Sequence, residues 1–97
     1  MIIVNATNVY ASAIENALTR DDAVDQAYVT GLPDPATGEA IHAFVTGSKP
    51  DPERLRNLVR ELLGANSVPA TITELAEVPL TPNGKPDKKA LQARLKR

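Results

Sequence analysis

The pattern of apolar and polar positions divides the chain into short elements. Residues 1–10 are apolar and β-branched on either side of Asn5-Ala6, which predicts two short strands joined as a hairpin. Ser12 and Glu15 then stand in S-x-x-E spacing, the pattern of a reciprocal helix cap. They predict a helix with Ile14, Ala17 and Leu18 as its buried stripe, ended by Asp21-Asp22. Val24 to Leu32 and Ala40 to Thr46 read as strands separated by the turn formers Pro33 to Gly38. In the second of these, Ile41, Ala43 and Val45 share one face while His42, Phe44 and Thr46 share the other. Both faces carry apolar surface, which suits a sheet covered by helices.

Farther along, Asp51, Pro52 and Glu53 supply an N-cap, a first helical position and a charge matched to the helix dipole. Leu55, Leu58, Val59 and Leu62 follow at i, i+3, i+4 and i+7, and Gly64 is placed to terminate that helix. Thr71-Ile72-Thr73 predicts another strand. Residues 79–86 read as a loop, and Asp87 as the cap of a last helix that turns Leu91 and Leu95 inward. The fold class is α+β: a small domain with an N-terminal β-hairpin, a mainly antiparallel sheet of about three strands, and about three helices. Neither repeats nor a second domain are visible in the 97 residues.

Composition narrows the picture only slightly. With 42% hydrophobic residues but three aromatics, Tyr10, Tyr28 and Phe44, the core must be mainly aliphatic. Cysteine is absent, which excludes a disulfide framework and a thiolate zinc site and fits a reducing, cytoplasmic setting. The sequence has neither a membrane-length apolar run nor a basic-then-apolar leader pattern.

Charge is more informative. The net value is −1, yet eleven of the twelve acids and only five basic residues lie in residues 1–77. Residues 78–97 hold Lys85, Lys88, Lys89, Arg94, Lys96 and Arg97 against the single acid Asp87. Such a tail is either a solvated terminal helix or a surface that meets an anion or a negatively charged partner. It lacks the interleaved aromatics of a nucleic-acid surface, and the chain as a whole is slightly acidic.

The segment Pro79 to Asp87 carries the candidate chemistry. Pro82-Asn83-Gly84 has the residues of a tight turn, and Pro86 pushes Lys85 towards extended backbone. A lysine is thereby held between glycine and proline just before a helix N-terminus, a setting that favours phosphate or carboxylate. The bland alternative is an exposed turn lysine. His42, the only histidine, reads as a polar residue on a half-covered strand, and Asp21, Asp22 and Asp25 as solvated helix-end acids rather than a metal site.

Leu80-Thr81-Pro82-Asn83-Gly84-Lys85 followed by Asp87-Lys88-Lys89-Ala90-Leu91 closely resembles the C-terminal motif of the adenylate-forming superfamily. That superfamily includes acyl- and aryl-CoA synthetases, nonribosomal peptide synthetase adenylation domains and luciferases. Asn8-Val9-Tyr10 with Ile14-Glu15 is similar to the N-V-Y-P-x-E-I-E segment of the acyl-CoA synthetases. Gly31-Leu32-Pro33-Asp34, Thr37-Gly38-Glu39, Ala43-Phe44-Val45 and Val68-Pro69 resemble the segments that follow.

The resemblance implies a C-terminal lid spanning 1–97, with hairpin 1–10, body 11–78 and a lysine loop and last helix over 79–97. It implies that Lys85 is the adenylation lysine, flanked by Asn83 and Gly84, and that Asn5, Ala6 and Asn8 help line a pantetheine passage. ATP and Mg2+ would be held mainly by a large N-terminal domain, absent here, that also binds the carboxylic acid. CoA or a carrier protein's phosphopantetheine would be the acceptor. Ala6 stands where the family usually has glycine, Asn5 where a basic residue is common, Ala11 for a frequent proline and Ser67 for a frequent lysine. Without a Gly-rich phosphate loop or an R-x-D hinge, the chain resembles an excised domain or half of a split enzyme, inactive alone. The rival reading is a non-catalytic α+β module that docks on a protein or carrier.

Overall fold

The computed structural model describes residues 2–95, with the side chains of Arg94 and Leu95 outside the description. The order of elements is β1 (Ile2–Val4), β2 (Thr7–Val9), α1 (Ala11–Leu18), β3 (Val24–Asp34), β4 (Gly38–Gly47), α2 (Pro52–Leu63), a short 3-10 turn (Ala65–Ser67), β5 (Thr71–Glu74) and α3 (Lys88–Leu95). The fold is α+β, as the sequence pattern predicts, and the N-terminal hairpin and the three further strands make one five-stranded sheet. The hairpin joins the sheet through the antiparallel pair Val4↔Gly38. β4 pairs antiparallel with β3 and parallel with β5.

Alternation along β4 sets the layers. Ile41, Ala43 and Val45 pack with Ile14, Leu18, Leu55 and Val59, so α1 and α2 cover one face. Phe44 points the other way into a smaller cluster with Leu75, Leu91 and Tyr28, which seats α3 on the opposite face. Burying one leucine such as Leu91 contributes roughly 1.5–3 kcal/mol, so a single side chain supplies much of the hold on α3.

Three local expectations are corrected. Ser12 does not cap α1: the helix begins at Ala11 after extended Tyr10, which makes no side-chain cap. Glu15 turns away from the helix start and accepts from the backbone amide of Val29 at 2.8 Å. An outward amide on the exposed edge of β3 is an otherwise unpaired donor, and it outcompetes the local cap. α1 ends at Leu18, ahead of Asp21-Asp22. Asp21 serves a tertiary pair instead, accepting from Arg54 Nε at 2.7 Å and Nη2 at 2.8 Å. In α2, Leu55 and Val59 are buried, but Leu62 is 43% exposed, at a shallow depression that it shares with Ala13, Asn16 and Ala17 of α1.

The other signals hold. Asp51 Oδ1 accepts from the amide of Glu53 at 3.0 Å, Pro52 opens α2, and Gly64 leaves it at φ 97°. β3 and β4 run farther than their apolar cores, because Asp34 Oδ1 accepts from the amides of Ala36 at 2.8 Å and Thr37 at 3.1 Å and folds a tight connection. The inward turn of Leu91 is observed, while that of Leu95 lies outside the described side chains.

The β1–β2 turn carries a conformational cost. Asn5 and Ala6 sit at φ 51° and 63°, the two left-handed positions of a hairpin turn. Asparagine tolerates that region, whereas alanine costs about 1–2 kcal/mol there, partly offset by its smaller unfolded-state entropy. Ala6→Gly should therefore stabilise the domain by about 0.5–1 kcal/mol and raise Tm by roughly 2–8 °C in a thermal melt. An unchanged or lower Tm would remove the strain from the account of this turn.

Candidate active-site hairpin and acceptor hairpin

The segment after β5 folds into a small hairpin of its own. The amide of Gly84 donates to the Thr81 carbonyl at 2.9 Å, closing a turn with Pro82 at its second position. Gly84 takes φ 81° and Asn83 does not enter the left-handed region, so the glycine alone supplies the backbone freedom. The amide of Thr81 donates to the Lys85 carbonyl at 2.7 Å, and the Lys85 amide donates to Thr81 Oγ1 at 3.3 Å. Leu80 bridges Pro86, and the Asp87 amide donates to the Pro79 carbonyl at 2.8 Å. Both backbone polar groups of Lys85 are thus engaged, while its side chain stands exposed. Among the described residues its ammonium has neither a hydrogen-bond nor an ion-pair partner. A cation on a pinned backbone and a solvated stem suits an incoming anionic oxygen.

The Lys85 hairpin is welded to α3. Asp87 Oδ1 accepts from the amide of Ala90 at 3.1 Å, so it caps that helix as the sequence predicts. Lys88, one of the basic residues grouped in the tail, is not free: its Nζ donates to the Val29 carbonyl at 2.9 Å and lies 3.5 Å from Glu15 Oε2. Lys89 is exposed, and the remaining tail cations, Arg94, Lys96 and Arg97, lie outside the described side chains.

An open groove of about 1070 Å³ lies beside the lysine hairpin, with Asp25, Tyr28, Glu74, Glu77, Leu80 and Gly84 among its lining residues. Its three carboxylates would repel phosphate, so the groove is not the anion site despite its size. No Cβ-sized obstruction lies within 4 Å of Gly84, so an alanine there would meet strain of φ rather than a clash.

The other predicted site sits at the far end of β4, because β1 meets that strand at Gly38 while the groove reaches Thr46 and Gly47. Along a ten-residue strand this is roughly 30 Å. Asn5, Ala6 and Asn8 are all exposed, but the Asn5 side chain is already occupied. Its Nδ2 donates to Asn66 Oδ1 at 3.3 Å, and Asn66 Nδ2 donates to Thr7 Oγ1 at 3.1 Å. Asn66 and Glu15 are the structural partners that sequence reading misses in these roles. Their contacts span 14 to 73 residues, and no local spacing signals them.

Elsewhere, His42 Nδ1 lies 2.8 Å from Thr71 Oγ1, a hydrogen bond across β4 and β5 whose donor depends on the imidazole tautomer. Burial pushes His42 below the usual histidine range, with the Asp34 carboxylate acting in the opposite sense. The Arg54 guanidinium, hydrogen-bonded to Asp21, holds that carboxyl below its ordinary range. Neither residue adjoins Lys85.

Residues 13–85 match the model of the AMP-binding enzyme C-terminal domain, a span that ends on Lys85 itself. The chain belongs to that family. Among similar proteins, the fatty acid–[acyl-carrier-protein] ligase ScoC of Streptomyces coeruleorubidus is 38% identical over 87 residues, covering 87% of this chain and 17% of the ligase. Surfactin synthase subunit 1 of Bacillus subtilis is 40% identical over 80 residues, covering 82% of this chain and 2% of the synthase. In three dimensions, the amide bond synthetase McbA of Marinactinospora thermotolerans superposes with a TM-score of 0.89 at 45% identity, covering 95% of this chain and 20% of that one. An acyl-CoA synthetase of Brucella canis gives 0.86 at 31% identity, covering 98% of this chain and 19% of that one. This AMP-binding enzyme C-terminal domain thus spans about a fifth or less of the relatives it matches. Within them it corresponds to part of a larger AMP-forming ligase. None of its described helices is long and apolar enough to cross a membrane.

The His42 geometry makes a prediction of its own. Its folded pKa lies below the unfolded value of about 6.5, so its contribution is intact above pH 6.5 and is lost as pH falls through the folded value. Unfolding free energy should decline from pH 7 towards 5 in denaturant titrations, and His42→Gln should flatten that window. A decline that persists unchanged in the glutamine variant would contradict the assignment.

Proposed function

We propose that this domain is the lid of an ATP-dependent ligase that activates a carboxylic acid as its acyl-adenylate, and that Lys85 is its catalytic residue. The observation that carries this reading is the Lys85 hairpin: a free ammonium whose own amide and carbonyl are both bonded, in a domain of the AMP-binding family. Adenylation brings a carboxylate onto the α-phosphate of ATP and expels pyrophosphate. Negative charge must be drawn together and then stabilised on phosphorus-bound oxygens. A lysine fixed before the reaction begins supplies that stabilisation without reorganising, and loss of one such donor costs roughly 10²–10³ in rate. Asn83 and Gly84 shape the turn that presents it. ATP and Mg2+ would sit mainly on the large domain.

A second step is in keeping with the placement of the two hairpins towards opposite ends of β4: the domain would turn to withdraw Lys85 and bring up Asn5, Ala6 and Asn8. A pantetheine thiol, on CoA or on a carrier protein, is the acceptor suggested by relatives that are a fatty-acid–CoA ligase and a fatty acid–[acyl-carrier-protein] ligase. A second reading, amide formation with an amine acceptor, is suggested by 45% identity to the amide bond synthetase McbA over 95% of this chain. The altered turn, with Ala6 at φ 63°, agrees with an acceptor path unlike the usual one. In either case the chain on its own would not adenylate.

The test is ATP-dependent pyrophosphate release by the large domain with this chain present, as wild type and as Lys85→Ala. Release should need the chain and should drop by about 10²–10³ in the alanine variant. Equal release with or without the chain, or an indifferent alanine variant, would leave a docking module. Product analysis with CoA and with an amine then separates the acceptors.

A further inference from the structure

Lys85 reaches the body of the domain through few attachments. Its hairpin is continuous with α3, and α3 has a single fully buried large side chain among those described, Leu91. Two polar contacts complete the seat. Gln92 Nε2 donates to Thr30 Oγ1 at 2.6 Å, and Lys88 binds the edge of β3. At that edge Val29 has both backbone groups outward, away from β4. Glu15, from α1, takes its amide at 2.8 Å, and Lys88, from α3, takes its carbonyl at 2.9 Å. The two side chains then face each other at 3.5 Å, with only 24% of the Glu15 side chain exposed. One residue of an edge strand is thus clamped from both of the helices that flank it.

We propose, resting on the reading of Lys85 above, that Glu15 and Lys88 are positioning residues for adenylation. Lys88 stands three residues after Lys85, and Asp87 between them bonds back to Pro79 at the foot of the hairpin. A shift of Lys88 along β3 therefore moves the base of the turn that carries the ammonium. A displacement of about 1 Å at a reacting group can cost on the order of 10² in rate. Lys88 in this role is no member of a diffuse basic tail: its charge is directed at one carbonyl and one carboxylate. The clamp pairs the outward amide and carbonyl of Val29 as well, and its placement beside the lysine hairpin gives that pairing a second consequence.

The experiment uses the ligase assembled from this chain and its large domain, and follows the two half-reactions separately. Lys88→Met should lower kcat for pyrophosphate release by about 10- to 100-fold, with KM for ATP changed by less than about threefold. Transfer from preformed acyl-adenylate should be unchanged, because it uses the opposite end of the domain. Lys88→Arg, which keeps a donor and the charge, should recover to within about threefold of wild type. Lys89→Met, at an exposed neighbour, should be silent. Glu15→Gln keeps an acceptor for Val29 while removing the charge, and should slow the first half-reaction by about three- to tenfold in a fully folded protein.

Equal losses in Lys88→Met and Lys89→Met would overturn the clamp in favour of general surface charge. Loss of both half-reactions together with a lowered Tm, unrelieved by arginine, would overturn it in favour of simple stability. Lys85→Ala run alongside separates the two levels. If it abolishes pyrophosphate release while Lys88→Met is silent, only the positioning role falls. If Lys85→Ala is itself without effect, the catalytic reading falls with it.

Discussion

The arrangement of the domain depends on β4, a strand whose side chains are buried on both faces. Ile41, Ala43 and Val45 are held under α1 and α2, and Phe44 is sealed on the other face by Leu75 and Leu91. Because side chains alternate along a strand, a slip of one residue would put Phe44 among the helices and leave Ala43 to face α3. That constraint fixes the register of β3, β4 and β5 together. It sets where α3 can sit, and through α3 where the lysine hairpin begins. The catalytic candidate thus inherits its position from an aliphatic core that never approaches the chemistry.

Two kinds of information in the sequence were unequally legible. Features whose cause is local were readable: the Asp51-Pro52-Glu53 helix start, Gly64 as its end, the alternation of β4, and the Asp87 cap of α3. The turn around Gly84 was readable for the same reason, since one φ of 81° demands glycine. Features set by tertiary competition were not. Ser12 and Glu15 have the spacing of a capping box, yet Glu15 serves an amide on β3 fourteen residues away. Lys88 looked like one more tail cation until α3 brought it to Val29. Asn5 looked free to line a passage, but Asn66 holds it. Each of these depends on which groups the sheet edge and hairpin leave unpaired, and that is decided only once the chain has folded.

The two hairpins illustrate a division between order and reach. Lys85 has a fully bonded backbone and an unbound side chain, so what is fixed is the point from which the ammonium extends. The β1–β2 turn is fixed differently, by side-chain amides clasped at Asn66 and by a strained Ala6. On the proposed reading, a body that carries Lys85 at one end and Asn5, Ala6 and Asn8 at the other would suit a reaction in two stages, since turning the whole domain would exchange one end for the other. By family membership and structural likeness, this body corresponds to one part of larger proteins that include an acyl-CoA synthetase and an amide bond synthetase. On that reading the acid selected would be determined chiefly by the large domain.

The most direct examination of the central claim is a crystal structure of the assembled ligase holding its carboxylic acid and an ATP analogue with an uncleavable α,β-bridge. The account predicts Lys85 Nζ within roughly 3 Å of both a carboxylate oxygen and an α-phosphate oxygen, with its hairpin and the Glu15–Val29–Lys88 contacts unchanged. A reacting pair bridged by a cation from the large domain, with Lys85 left in solvent, would contradict it.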